Sequence, residues 1–142
     1  MINEQSVRKE VSTWLEENWD PNLSLIEWRI KLTDTGWGMP DWPEEWYGKG
    51  YPSLLASAVE EEFMRFGAVG VAKAGIRLLA GATLLEHGSE AQKKQFLRRI
   101  LTGEDTWCQL FSEPGSGSDL ASLKTRADDQ GEEYLINGQK VW

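Results

Sequence analysis

The sequence predicts a mainly α-helical protein whose helices are followed by a short β-rich region. Up to about residue 102, apolar residues recur at the three- and four-residue spacing of amphipathic helices. After Gly103 the spacing becomes that of extended strands, and turn residues separate short apolar runs. We therefore expect a helical domain over residues 1–104 and the start of an incomplete β-domain over residues 105–142.

The first two helices are predicted on either side of Asp20. Apolar residues indicate a first helix over residues 4–19 that ends near Asn18. Asp20 is a candidate N-cap for the second helix, with Pro21 at its first helical position. That helix is expected to run to about Thr33.

Residues 36–52 contain four glycines, three prolines and three tryptophans, so periodic structure is not expected there. A structured loop of this length often has a function or forms an interface. We predict that its aromatic side chains hold it in place. Most of the eight tryptophans in the chain are expected to be buried or half-buried packing residues.

Three further helices are predicted before the β-rich region. The third runs from Ser53 to about Phe66, and the fourth, rich in glycine and alanine, covers residues 69–87. Its small residues favour close packing against a neighbouring helix, and they would also let a flat ligand approach closely. The fifth helix follows Gly88 and begins with a capping box formed by Ser89 and Gln92.

Charged clusters on these helices are interpreted as surface features. Consecutive carboxylates at residues 60–62 point in different directions on a helix, so we expect a solvated face or an ion pair with Arg65. The basic side chains of the fifth helix are interpreted as a solvated face, or as a contact for an acidic partner or a nucleotide phosphate. His87 is expected to cap or pack at a helix end. No spacing of His, Cys or carboxylates indicates a metal site.

Four strands and two turns are predicted after Gly103. The strands cover residues 106–111, 124–128, 133–137 and 139–142, and the turns lie at residues 128–131 and at Asn137-Gly138. Since four short strands cannot close a barrel, we expect the chain to be a fragment of a longer protein.

Composition excludes several classes of function. The net charge of −8 argues against nucleic acid as a partner, because phosphate binding requires a basic face. The single cysteine, Cys108, forms no internal disulfide and is expected to be a buried structural residue. No apolar segment of signal or membrane-spanning length is present at the N-terminus, which predicts a cytoplasmic protein without membrane insertion.

The segment over residues 112–118 is rich in glycine and serine and follows an apolar run. It lacks the Gly-Lys-Ser/Thr ending of a phosphate-binding P-loop and the third glycine of a dinucleotide fingerprint. Such a loop exposes backbone N–H groups that can meet an anionic or planar ligand. From the residues alone, a simple connecting loop is the more common interpretation.

The whole segment resembles the acyl-CoA dehydrogenase family. Residues 111–119 read Phe-Ser-Glu-Pro-Gly-Ser-Gly-Ser-Asp, and the flavin-side motif of that family reads aliphatic-Ser/Thr-Glu-Pro-Gly-small-Gly-Ser-Asp. Three other stretches, at residues 36–46, 84–93 and 124–142, are also similar to the family and occur in the same order. The resemblance implies an N-terminal helical bundle followed by the opening strands of a truncated β-barrel domain.

The resemblance also implies a cofactor site. The positions that match flavin-contacting residues are Gln109, Leu110, Phe111, Ser112, Ser118 and Trp142. Ser118 matches a residue that contacts the cofactor phosphates or the CoA part of the substrate, so it is also a candidate substrate-binding residue. Glu113 and Asp119 are expected to order the loop. No residue of this chain matches the family's catalytic glutamate, so no catalytic residue is assigned here and the chain alone is expected to be inactive.

As a function, the resemblance implies oxidation of an acyl-CoA thioester to the 2,3-enoyl-CoA, with FAD as hydride acceptor and an electron-transfer flavoprotein as electron acceptor. The full-length protein would be a homodimer or homotetramer. Two alternatives stay open: an acyl-CoA oxidase or flavin monooxygenase of the same fold, and a non-catalytic truncated helical interaction module or subunit. Leu110 and Phe111 stand where the family often has a small residue and then an aliphatic one, which leaves the size and shape of the acyl group open.

Overall fold

A computed structural model describes residues 2–70 and 75–142. The chain divides into two compact units, Met1–Trp107 and Cys108–Trp142. Within the described ranges, the first unit contains the helices α1 (Glu4–Asn18), α2 (Leu25–Asp34), α3 (Ser53–Phe66), α4 (Ile76–His87) and α5 (Glu90–Thr102). The second unit contains two antiparallel strands, β1 (Arg126–Asp129) and β2 (Tyr134–Asn137). The predicted fold class, helices followed by opening strands, is confirmed.

The core of the first unit lies where α1 packs on α3, and where α5 packs on both α2 and α4. Each helix has apolar residues at helical spacing on one face, and burial of these faces drives the packing. The buried side chains of the helices include Val7, Val11, Leu15, Trp28, Leu32, Val59, Phe63, Leu97 and Leu101.

The loop between α2 and α3 contributes its own side chains to this core. Trp37, Trp42 and Trp46 are each no more than 6% exposed. A short 3₁₀ turn, Glu44–Trp46, is the only helical element that the structure describes in this loop. The prediction that aromatic side chains hold the loop is confirmed.

The predicted start of α2 is wrong. The Asp20 carboxylate accepts hydrogen bonds from the N–H and the side-chain amide of Asn22, at 2.8 and 2.9 Å, and therefore orders a turn around Pro21. The N-cap is Ser24, whose hydroxyl accepts from the N–H of Glu27 at 3.2 Å. The Glu27 carboxylate accepts from the Ser24 N–H at 3.0 Å. This capping box satisfies two N–H groups at once, so the helix begins after it.

The predicted start of the fourth helix is also wrong. Residues 71–74 of that prediction lie outside the described residues, residues 69–70 are not helical, and α4 begins only after Gly75, whose φ is +89°. The prediction of close packing against a neighbouring helix is confirmed at Gly81, where an added Cβ would lie 3.5 Å from Cγ2 of Ile100 in α5; it would also lie 3.0 Å from Cη2 of Trp42 in the loop.

The carboxylates of α3 do not form a uniformly solvated face. Glu62 is 5% exposed, and its carboxylate pairs with Arg65 at 2.6 Å and with Arg8 at 3.2 Å. The Ser12 hydroxyl donates to the same carboxylate at 2.8 Å. The predicted ion pair with Arg65 is confirmed. The solvated-face interpretation is wrong for Glu62, because the packing of α1 on α3 covers it.

Truncation of a core leucine tests the assigned packing. Leu97 is fully buried, and we expect Leu97→Ala to lower the free energy of unfolding by about 2–5 kcal/mol because it removes apolar contacts and leaves a cavity. Leu79 of α4 is 50% exposed, so Leu79→Ala is expected to cost no more than about 0.5 kcal/mol. Urea unfolding followed by circular dichroism measures both. Equal losses in the two variants would contradict the described core.

Candidate functional site

The second unit contains one β-hairpin. β1 and β2 pair in antiparallel register from Arg126 opposite Asn137 to Asp129 opposite Tyr134. The N–H of Gln130 donates to the carbonyl of Glu133 at 2.9 Å and closes the turn. The turn predicted at residues 128–131 is therefore present, displaced slightly towards the C-terminus.

The other two predicted strands do not form. Residues 106–111 and 139–142 are in no strand, and Asn137-Gly138 makes no second hairpin. A strand requires a neighbour for its backbone N–H and C=O groups. Within the described residues, one backbone hydrogen bond joins these two parts of the chain: the N–H of Val141 donates at 3.0 Å to the carbonyl of Ser112, the residue directly after the first predicted strand. Cys108 is exposed, so the prediction that it is buried is wrong.

The Gly/Ser loop folds back on itself immediately after Ser112. The N–H of Glu113 donates to the carbonyl of Ser116 at 2.8 Å, and the Ser116 N–H donates to the Glu113 carbonyl at 3.0 Å. The hydroxyls of Ser116 and Ser122 both donate to the carbonyl of Asp119, at 2.6 and 2.9 Å. Serine side chains thus replace regular secondary structure in ordering the loop.

The Glu113 carboxylate links this loop to the segment before the hairpin. It accepts from the N–H of Lys124 at 2.8 Å and from the N–H of Thr125 at 2.9 Å. The Lys140 ammonium pairs with it at 2.9 Å and also donates to the Phe111 carbonyl at 3.0 Å. One buried carboxylate therefore connects three segments of the unit, in the ordering role predicted for Glu113.

These donors lower the pKa of Glu113 to about 2 from its ordinary value of 4.5. The Thr125 hydroxyl favours the ionised form most, followed by the Lys124 N–H, the Lys140 ammonium and the Thr125 N–H. The Thr125 hydroxyl forms no hydrogen bond of regular geometry. The N–H groups of Lys124 and Thr125 and the Lys140 ammonium do form hydrogen bonds with the Glu113 carboxylate, so we attribute its low pKa mainly to these three donors.

Five of the six predicted cofactor-binding residues line a single depression of ≈ 340 Å³ in this unit. They are Gln109, Phe111, Ser112, Ser118 and Trp142. The sixth, Leu110, does not line the depression, and its side chain is 60% exposed. Residues that are far apart in the chain, at 109–112, 118 and 142, are thus brought to one place.

The surface of the depression offers both polar and aromatic contacts. The Trp142 side chain is 99% exposed. In the part of the chain that the structure describes, no hydrogen bond uses the N–H groups of Leu110, Phe111 or Ser112. The depression can therefore combine backbone donors and hydroxyls with an aromatic ring, which is the chemistry that a planar, polar-edged ligand requires.

Sequence reasoning missed three lining residues, Gly117, Leu120 and Val141, and also missed the organising role of Lys140. Gly117 and Val141 lie within the stretches that resemble the family, so the resemblance contained a signal for them. Nothing in the local sequence marks Leu120, whose position depends on how the loop folds.

Two other kinds of site are absent from residues 2–70 and 75–142. No group of three or more His, Cys, Asp or Glu side chains in these ranges could hold a metal ion. No helix there is long and apolar enough to cross a membrane.

The sequence matches a known family over most of its length. The profile described as "Acyl-CoA dehydrogenase, N-terminal domain" matches residues 3–104. The chain is 41% identical to acyl-CoA dehydrogenase IpdE1 of Mycobacterium tuberculosis, in an alignment that covers 100% of this chain and 41% of that protein. The chain therefore belongs to the acyl-CoA dehydrogenase family.

Solved structures show the same relationship. The ChsE4-ChsE5 complex from Mycobacterium tuberculosis contains a chain matched with a TM-score of 0.62 and 28% identity, covering 98% of this chain and 38% of that one. An acyl-CoA dehydrogenase from Bacillus anthracis, complexed with FAD, is matched with a TM-score of 0.51 and 27% identity, covering 98% and 26%. The chain spans less than half the length of each of these relatives.

Substitution of Gly138 tests the contact between the residue after β2 and the segment before β1, which Glu113 holds. A Cβ on Gly138 would lie 2.7 Å from Cα of Thr125, so we expect Gly138→Ala to force the two backbones apart. At Gly115 an added Cβ meets no atom within 4 Å, which makes Gly115→Ala the matched control. Amide hydrogen exchange over residues 124–137 should accelerate in the first variant alone. Unchanged exchange in Gly138→Ala would contradict the described contact.

The low pKa of Glu113 predicts a pH dependence. Because the folded pKa of about 2 lies below the ordinary value of 4.5, ionised Glu113 stabilises the loop fully above pH 4.5. This stabilisation is lost as the pH falls towards 2. The protection factors of the Lys124 and Thr125 amides, which compare the observed exchange rate with the intrinsic rate at the same pH, should therefore fall as the pH is lowered through this range. Glu113→Gln should exchange faster at neutral pH and lose this acid dependence.

The exposed carboxylate Glu132, in the hairpin turn, provides a charge-matched control. Glu132→Gln should keep the acid dependence of the wild-type chain. If Glu113→Gln and Glu132→Gln respond alike, Glu113 does not hold the loop.

Proposed function

We propose that this chain provides the N-terminal helical domain and part of the flavin site of an FAD-dependent acyl-CoA dehydrogenase. The proposed reaction oxidises an acyl-CoA thioester to the 2,3-enoyl-CoA. The observation that supports it most is the depression lined by Gln109, Phe111, Ser112, Ser118 and Trp142, since these residues are the ones that match the family's cofactor contacts.

The residues present fit a flavin. When bound, the flavin supplies a hydride acceptor. In this proposal the Ser112 hydroxyl and the N–H groups of Phe111 and Ser112 bind the polar edge of its ring. The exposed Trp142 ring packs against its face, and Ser118 contacts a phosphate of the cofactor or the CoA part of the substrate.

No residue of the chain is proposed as the catalytic base. Glu113 lies beside the depression, but its carboxylate already accepts from two N–H groups and an ammonium, and its pKa of about 2 makes it a poor proton acceptor. The base is therefore proposed to come from a part of the protein outside this chain, and residues 1–142 alone are proposed to be inactive. The proposed partners are an electron-transfer flavoprotein and further copies of the same protein.

Flavin binding and turnover by the intact protein that contains this chain test the proposal. We expect a flavin absorption spectrum that is bleached by an acyl-CoA thioester and restored by an electron-transfer flavoprotein. Loss of one neutral hydrogen bond costs about 0.5–1.5 kcal/mol, so Ser112→Ala should weaken FAD binding by about two- to tenfold. The exposed Ser57 in α3 is the matched control, and Ser57→Ala should leave FAD binding unchanged.

Other outcomes identify the alternatives. Rapid oxygen consumption by the reduced protein would favour an oxidase or monooxygenase. A protein that binds no flavin and turns over no thioester would favour a non-catalytic interaction module. Equal FAD affinity in Ser112→Ala and Ser57→Ala would remove Ser112 from the proposed site.

A further inference from the structure

Two arginines from different helices meet at the C-terminal end of α5. Arg29 lies in α2, Arg77 lies in α4, and Gly103 directly follows α5. A Cβ placed on Gly103 would lie 3.0 Å from Nη1 of Arg29 and 3.0 Å from Nη1 of Arg77. Since each Nη1 atom is 3.0 Å from the same point, the Nη1 atoms of Arg29 and Arg77 lie no farther apart than the sum of these two distances. Both side chains are half-buried.

The carboxylates of this region pair with other arginines. Arg98 donates to both carboxylate oxygens of Asp34, at 2.9 and 2.8 Å. Arg99 pairs with Asp105 at 2.5 Å and with Glu104 at 3.3 Å.

Within residues 2–70 and 75–142, neither Arg29 nor Arg77 forms an ion pair with a carboxylate. The Nε atom of Arg29 is buried and has no hydrogen-bond partner among the residues that the structure describes. Burial, and then the positive charge of Arg77, lower the pKa of Arg29. The arginine pair therefore combines uncompensated charge with an unsatisfied buried donor, in a protein whose net charge is −8.

The end of α5 does not neutralise this pair. The C-terminus of a helix carries about half an elementary negative charge, and two guanidinium groups carry two positive charges. More than one positive charge is left. Simple packing of the arginine stems accounts for their half-burial, but it leaves the buried Nε donor unexplained.

We infer that Arg29 and Arg77 form an oxyanion site that binds a phosphate dianion, either free or as a monoester. Guanidinium groups present fixed forks of N–H donors that match phosphate oxygens, at hydrogen-bond distances of about 2.7–2.9 Å. A dianion balances both charges, while a single carboxylate balances only one.

The inference is independent of the proposed flavin site. The arginine pair belongs to the unit Met1–Trp107, and the depression is lined only by residues of Cys108–Trp142. If the flavin proposal fails, the proposed phosphate site is therefore unaffected. If the phosphate site fails, the flavin proposal is likewise unaffected.

Titration of the chain with inorganic phosphate tests the site. The titration is followed by calorimetry. The pH is kept slightly above neutral, and sodium chloride keeps the ionic strength constant. We expect saturable binding that Arg77→Gln weakens about tenfold or more, the effect of one lost charge-assisted hydrogen bond. Arg126→Gln is the matched control, since the Arg126 side chain is 72% exposed and belongs to the other unit, and it should bind phosphate like the wild-type chain.

Thermal unfolding separates an anion site from simple charge repulsion. In chloride alone, Arg77→Gln should melt no lower than the wild-type chain, because it removes one of two like charges. Phosphate should then raise the melting temperature of the wild-type chain and of Arg126→Gln more than that of Arg77→Gln. Phosphate also stabilises proteins non-specifically, and that part is shared by all three chains.

Any one of three results would overturn the inference: phosphate binding that does not saturate, equal phosphate affinity in the wild-type chain and in Arg77→Gln, or binding of acetate to the wild-type chain as tightly as phosphate. If circular dichroism shows that Arg77→Gln is misfolded, Arg77→Lys replaces it, since it keeps the charge and loses the fork. Its affinity should lie below that of the wild-type chain, and an unchanged affinity would contradict the site. Glycerol phosphate identifies the source: equal affinity supports a monoester ligand, and weaker affinity supports free phosphate.

Discussion

Burial of Trp28 is the interaction on which the helical unit depends. Its side chain is 1% exposed, and its ring lies 5.4 Å from that of Trp14, 4.8 Å from Trp19 and 6.4 Å from Phe63, measured between centroids. Its Nε1–H donates to the carbonyl of Val69 at 2.5 Å, so the one polar atom of the ring stays satisfied. These contacts come from α1, from the segment after it and from α3, and a single side chain of α2 thus positions several elements.

Polar bonds take the corresponding role in the second unit. No large apolar side chain is buried in its described residues, and Tyr134, Leu135 and Ile136 of β2 are all more than half exposed. Its loop, the segment before β1 and the segment after β2 are instead joined by Glu113 and Lys140. A two-stranded hairpin has little core of its own, which explains why residues 106–111 and 139–142 form no further strands.

Local signals explain which helices were predicted well. α3 ends at Gly67, whose φ is +65°, and α5 begins with the capping box of Ser89 and Gln92, so the residues at each boundary specify it. The start of α2 was misplaced because Asp20 and Ser24 are both acceptable N-caps. The choice depended on the reciprocal bond that Glu27 makes with Ser24 alone.

The cofactor-binding residues were named through family resemblance, while their convergence on one depression is a result of the loop's folding.

The sequence by itself determined the order of the helices, the end of the last α-helix at Gly103, the capping of α5 and the family. The helices, their ends and their caps depend on interactions between residues a few positions apart, and the family is carried by short stretches of residues that occur in a fixed order. Tertiary structure alone decided the burial of Glu62, the bond of Lys140 to Glu113 and the meeting of Arg29 with Arg77. Each of these joins residues distant in the chain, so it exists only after packing has brought their elements together.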